Sequence, residues 1–368
     1  MKIVTQADIA RRLGCSQQAV GFALNNYRNS KVSLRPEKRQ LILETATKLG
    51  YVPNRAARRL TRARFRKPVN EMDLVGLIYF GSADVDLDPV CIAMMSGAEH
   101  ELSKFHASLT FVRAGESSDW EKVERLERAG SVDGWLLVGP VTDEVVDHLK
   151  PGKLPFVILG DHRCTQPVHA VNVDHMAAGR LAVQHLASLG HRRIACLGTG
   201  MQYLYQRQTL EGFRSAIKEF GLDDDERLLG DCSTWKNVVG KDIMDWLREP
   251  DPRPTAVFFS EPGMAFELCQ ILKDLGLEVP GEISVLGFGS PFPGAKRGNI
   301  TYIELPMNEV GCQGALLLQR IAAALPHSFG TQVEPGLDSR MGFSEIKISP
   351  SLIEGRSTQS RQNDESKN

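Results

Sequence analysis

Beyond residue 73 the chain alternates short apolar runs with amphipathic stretches, and that alternation admits few architectures. The runs at 74–80, 109–112, 132–138, 155–159, 193–197, 256–259 and 283–287 have strand length and composition. Helical patterns fall between most of them, for instance at 177–189, which Gly190 ends. A repeated strand-then-helix order predicts parallel sheets covered on both faces, and some 300 residues suffice for two such lobes. In folds of this kind ligands bind at the carboxyl ends of the strands, so a cleft between two lobes is the expected small-molecule site.

The segment before this alternation is chemically different. Residues 1–68 hold 16 Lys+Arg against 3 Asp+Glu, whereas the rest holds 28 against 42, so a formal charge of -1 conceals parts of +13 and -14. A module this basic can displace condensed counterions from a phosphate backbone, which gives sequence-independent, salt-sensitive affinity for nucleic acid. Seven scattered cysteines (Cys15, Cys91, Cys164, Cys196, Cys232, Cys269 and Cys312) form no C-x-x-C pair, so neither a disulfide framework nor a zinc site is expected. With no signal-peptide pattern at the start and no apolar run of about 18 residues, the reading is a cytoplasmic chain without a membrane partner.

Three short helices are predicted in residues 5–50. Thr5-Gln-Ala-Asp8 is a capping-box start for a helix carrying Ile9, Ala10 and Leu13, which Gly14 ends. Ser16 can cap a second helix with Val20, Ala23 and Leu24 on one face and Gln17, Gln18, Gly21, Phe22 and Asn25 around the others. A third starts near Ser33, with Pro36 and Glu37 in its first turn and a stripe of Leu41, Ile42, Ala46 and Leu49. Two helices joined by a short glycine turn make a helix-turn-helix, whose second helix enters the major groove. There the amides of Gln17 and Gln18 can pair with adenine N6 and N7. After Pro53, Asn54 can cap a fourth helix in which Ala57 and Leu60 sit amid Arg55, Arg58, Arg59 and Arg62, and Leu60 has the character of a minor-groove wedge.

Taken together, Thr5-x-x-Asp8-Ile9-Ala10, Gly14-x-Ser16-x-x-x-Val20, Leu24-Asn25, Leu49-Gly50-Tyr51-x-Pro53-Asn54 and Ala57-Arg58-x-Leu60 resemble the LacI/GalR (lactose-repressor) family of transcription regulators. Val132-Asp133-Gly134, Leu189-Gly190-His191-Arg192-Arg193-Ile194 and Pro280-x-Glu282-Ile283-Ser284-Val285-x-Gly287-Phe288 extend the likeness over nearly the whole chain. It implies an α/β protein: an all-α helix-turn-helix head with a hinge helix, then a two-lobed, periplasmic-binding-protein-like, Rossmann-type effector domain. The boundaries it suggests are 1–53 for the head, 54–68 for hinge helix and linker, 69–353 for the effector and dimerisation domain, and 354–368 for a disordered polar tail. DNA contact is implied for Thr5, Ser16, Gln17, Gln18, Phe22, Asn25, Asn54, Arg55, Ala57, Arg58 and Leu60. The resemblance also implies a repressor that binds a pseudo-palindromic operator as a homodimer, because tetramerising members carry C-terminal heptads and this tail has none.

The chain departs from the family in both parts. Gly21-Phe22 stands where the family's recognition helix commonly has Ser-Arg. In the cleft, Asp161 and Trp235 match positions that meet a sugar and Arg207 is retained. Thr209, Glu261 with Pro262, and Gly289 replace an Arg, an Asn-Asp pair and an Asp. Sugar discrimination relies on polar groups matched to hydroxyls. The expected effector is carbohydrate-related but not a common hexose, or the pocket has none. The rival is a small-molecule binding protein or enzyme with incidental DNA affinity. Catalysis has little support: Gly198-Thr-Gly200 lacks the rest of a dinucleotide fingerprint, there is no H-E-x-x-H or Gly-x-Ser-x-Gly, and neither cofactor nor metal is expected. His191-Arg192-Arg193 reads as a cationic cap on a helix end, and 326–344 as a surface loop.

Overall fold

The computed structural model describes residues 4–24, 34–49, 51, 72–81, 88–114, 117–150, 154–198, 203–230, 253–289, 299–324 and 343–361. They fall into two units divided between Lys67 and Pro68, and each is taken separately.

In the first unit the helices are α1 (Gln6–Leu13), α2 (Gln17–Leu24) and α3 (Pro36–Lys48). Thr5 and Asp8 form the expected capping box, and Gly14 ends α1 with φ of 59°, in the left-handed region that favours glycine. Ile9, Ala10, Val20, Ala23, Ile42 and Ala46 are buried together as one small core. Two details differ from expectation. Helix α3 begins after Arg35 with no side-chain cap, and Ser33 lies outside the described residues. Leu41 is 51% exposed, because Ile42, Ala46 and Leu49 follow the helical repeat and Leu41, one residue ahead, is turned about 100° away.

The second unit holds two parallel sheets. Strands β1 (Leu74–Tyr79), β2 (Ser108–Arg113), β3 (Gly134–Val138), β4 (Phe156–Leu159), β5 (Ala170–Val173) and β11 (Glu345–Ile348) form the first, in the order β11-β5-β4-β3-β1-β2. Strands β6 (Ile194–Leu197), β7 (Leu229–Gly230), β8 (Ala256–Pro262), β9 (Ser284–Phe288), β10 (Thr301–Glu304) and β12 (Ser351–Ile353) form the second, in the order β12-β10-β9-β8-β6-β7. Among the described strands only β12 is antiparallel to its neighbour. Helices α4 (Pro89–Lys104), α5 (Ser117–Arg128) and α6 (Asp143–Leu149) belong to the first lobe, and α8 (Leu204–Glu219) and α9 (Ala265–Asp274) to the second.

Among the described residues the chain changes lobe three times. Helix α7 (His175–Ser188) follows β5 yet packs on α8, β10 and β12 of the second lobe. Helix α10 (Met307–Ala324) follows β10 yet packs on α4 and on β3, β4 and β5 of the first. The third crossing is the short step from β11 to β12. All seven runs read as strands from their apolar character coincide with strands, with ends shifted by at most three residues.

The polar tail is the clearest correction to the sequence reading. Residues 354–361 lie on the second lobe, and Ser357 is buried. Its hydroxyl accepts from the Thr301 N–H at 2.8 Å and donates to the Val285 carbonyl at 2.6 Å, while its own carbonyl accepts from the Val285 N–H at 2.7 Å. Gly355 N–H donates to Thr301 Oγ1, and Arg361 N–H to the Leu189 carbonyl. Low hydrophobicity misled here because the segment is held by hydrogen bonds rather than by apolar burial. With each such bond worth roughly 1 kcal/mol, ending the chain after Ile353 is expected to lower the thermal midpoint of this unit by roughly 5 °C or more. All four tryptophans lie beyond residue 68, so their fluorescence follows this unit alone; an unchanged midpoint would make the tail dispensable.

Candidate nucleic-acid interface and effector cleft

In the first unit, the turn between α1 and α2 is built from local chemistry. Gly14 supplies the left-handed residue, and Ser16 Oγ accepts from the Ala19 N–H at 3.1 Å to start α2. Thr5 Oγ1 is engaged with Asp8, accepting from its N–H at 3.3 Å and donating to its carboxylate at 2.7 Å. Both residues read as DNA contacts are therefore also helix caps, and both are exposed. Burial of Val20 and Ala23 turns the other side of α2 outward: Gln17 and Gln18 are exposed and Phe22 is half-buried. Asn25, Asn54, Arg55, Ala57, Arg58 and Leu60 lie outside the described residues.

In the second unit, residues of the two lobes meet at the carboxyl ends of strands. Gly160, with φ of 80°, turns the chain after β4 and presents Asp161. One carboxylate oxygen accepts from the Tyr205 N–H at 3.0 Å, in the first turn of α8, where a helix N-terminus favours negative charge. A side chain from one lobe thus caps a helix of the other. Burial pushes the Asp161 carboxyl up, against the opposing pull of the Tyr205 and Leu204 amides and the Arg207 charge. Its second oxygen, Oδ1, is buried and finds no partner among the described residues.

Glu261, at the end of β8, accepts from Gln206 Nε2 at 2.7 Å and from the Tyr205 hydroxyl at 3.2 Å. Burial, and next the Glu261 charge, raise the Tyr205 phenol well above its ordinary range, so it stays a donor. Rings continue the assembly: Tyr203 stacks on Tyr205 at 5.7 Å and Tyr205 on Phe288 at 6.4 Å, with the Arg163 guanidinium 6.0 Å from the Tyr203 ring centre. His175 lies 5.8 Å from Tyr205.

Of the residues read as effector contacts, Asp161, Arg207 and Glu261 converge on the start of α8. Thr209 is fully buried where α8 crosses α7, its hydroxyl without a partner among the described residues. Gly289 turns the chain after β9 with φ of 69° and donates to the Ile303 carbonyl at 2.8 Å. Trp235 lies outside the described residues. Sequence reasoning missed Tyr203, Tyr205 and Gln206. The one available signal was the Tyr-x-Tyr-Gln run opening an amphipathic helix.

His191 and Arg193 also take other roles than a helix-end cap. His191 is buried, with Nδ1 2.9 Å from Thr255 Oγ1 and Nε2 3.1 Å from Ser284 Oγ. Arg193 pairs with Asp223 and Asp225. Among the described residues, no three His, Cys, Asp or Glu are grouped to hold a metal, and no helix is long and apolar enough to cross a membrane.

A profile of the periplasmic binding protein-like domain matches residues 183–358. Catabolite control protein A of Priestia megaterium is 28% identical over 323 residues, 86% of this chain and 92% of that protein. The ribose operon repressor of Escherichia coli K12 is 27% identical over 317 residues, 84% of this chain and 90% of that protein. The chain is similar to regulators of the LacI/GalR family. A solved structure of the lac repressor dimer bound to operator and the anti-inducer ONPF has the same fold. Its TM-score is 0.64 at 20% identity, covering 97% of this chain and 100% of that one.

Proposed function

We propose that this chain is a LacI/GalR-family, sequence-specific transcription regulator, a repressor, that binds a pseudo-palindromic operator as a homodimer and responds to a small molecule in the inter-lobe cleft. The observation that carries this is the pairing, in one chain, of a +13 helix-turn-helix unit with a two-lobed body whose cleft residues come from both lobes. In the first unit Thr5, Ser16, Gln17, Gln18, Phe22 and Asn25 meet the major groove. Asn54, Arg55, Ala57, Arg58 and Leu60 meet the minor groove or the backbone. The names of relatives, among them a ribose operon repressor, favour a carbohydrate-related effector. The unpartnered Asp161 Oδ1 favours one that brings a hydrogen-bond donor. The protein works in the cytoplasm, and binding rather than turnover is its activity.

Selection from random duplexes with the full chain is expected to return a two-fold symmetric site, with half-sites set by the helical repeat. Affinity should fall steeply as salt rises. Recovery of sequence-indifferent binding alone would sink the specific-regulator reading in favour of incidental DNA affinity.

A further inference from the structure

Gly21 is the one residue of α2 whose presence local structure does not explain. Its φ is not in the left-handed region, and glycine in a helix interior costs about 1 kcal/mol relative to alanine. Close backbone packing is not the reason either. Among the described residues, a Cβ built there meets a single atom of another element within 4 Å, the Oε1 of Gln6, at an ordinary contact distance of 3.6 Å. Gln6 is the first residue of α1, so a side chain from the neighbouring helix lies over the place where position 21 has none.

That place belongs to the outward face of α2. Positions 17 and 18 lie one turn before 21, at spacings of four and three, so the three form one contiguous patch on a helix. Gln17 and Gln18 are exposed there, and Gln6 is half-buried. The missing side chain at 21 therefore admits a third carboxamide beside the other two. None of the three is charged, so the patch adds little to phosphate affinity. What a carboxamide offers is a paired donor and acceptor, which matches N6 and N7 of adenine in the major groove.

We infer that Gln6, reaching over the clearance left by Gly21, reads one base pair of each half-site in addition to those read by Gln17 and Gln18. The inference rests on the head being the unit that reads DNA. It makes Gly21 a specificity device: a larger residue there would displace the Gln6 amide without touching the core of Ile9, Val20 and Ile42.

The test is site selection with the full chain and two variants, Gln6→Ala and Gly21→Val, with circular dichroism melts to show that both heads are folded. Gln6→Ala is expected to lose its preference at one position of each half-site by about fivefold or more. Gly21→Val should relax the same position, and the double variant should be no worse there than either single one. If Gln6→Ala selects the parent site with undiminished preference, Gln6 does not read a base. If Gly21→Val relaxes only other positions, the clearance is not its role. A parent chain that selects no sequence overturns the reading of the head itself, and the assignment of Gln6 with it.

Discussion

Gly212→Ala is expected to destabilise the second unit by more than about 3 kcal/mol, although it adds one methyl group to a helix and alanine is the better helix former. A Cβ on Gly212 would lie 2.0 Å from the Met176 carbonyl oxygen, and one on Gly179 would lie 2.1 Å from that of Thr209. The two glycines are reciprocal: each lets the other helix's backbone rest on its own, so α7 and α8 touch main chain to main chain. A side chain could rotate away from a new methyl; a helix carbonyl cannot without moving its helix. That movement would open a slot beside Ala178, Ala182, Phe213 and Ala216, all buried in the same core. Interiors are packed too closely to absorb such a gap. Against a total stability of about 5–15 kcal/mol, the loss is a large fraction. Urea unfolding followed by tryptophan fluorescence measures it, and a midpoint equal to that of the parent chain would refute the contact.

The first lobe uses the same device. A Cβ on Gly97 of α4 would lie 1.8 Å from the Asn308 carbonyl oxygen, and one on Gly311 of α10 would lie 2.0 Å from that of Met94. The two helix pairs so joined, α7 on α8 and α10 on α4, include the two helices that begin just after the chain has changed lobe. Close crossing fixes each arriving helix to its new lobe. These two crossings are thereby confined to the short segments around Asp174 and Leu305.

These pairs show what a sequence carries and what it hides. Strands buried on both faces declare themselves as apolar runs, and Thr5 with Asp8 declares a helix start, because both signals are local. In one dimension the glycines at 97, 179, 212 and 311 read as weak points of helices, since the partner that each needs is distant in the chain. Strands β5, β7, β10, β11 and β12 were missed, because they have only two to four residues each and alternate residues of β11 are exposed. In the cleft, Asp161 and Glu261 were legible through resemblance. Their joining was not, because Tyr205 lies 44 residues from one and 56 from the other. The tail was misread because composition measures apolar content, and residues 355–359 are held by polar contacts.

Acidification from pH 7 to pH 5 is expected to weaken the second unit by on the order of 3 kcal/mol through His175 and His191, with the raised Asp161 carboxyl acting in the opposite direction. Burial holds each imidazole down at about 4, against an ordinary value near 6.5. Asp174 pulls His175 up and Lys347 pushes it down; for His191, the Gln359 carbonyl pulls up while Arg361 and His185 push down. Burial prevails in both. The folded state therefore keeps these rings neutral where the unfolded chain protonates them, so stability is full above about pH 6.5 and falls as pH drops toward 4. Below that both states are protonated and the loss levels off. Burial lowers His185 as well, which adds in the same direction. Asp143 titrates far lower, held at about 2 by its bonds from Thr165 and Gln166, and leaves this window clear. His191→Gln keeps a donor and an acceptor for Thr255, Ser284 and Gln359 without the titration. It should be less stable than the parent at pH 7, yet lose clearly less on going to pH 5. Parallel urea midpoints for parent and variant across pH 7, 6 and 5 would show that His191 does not carry the dependence.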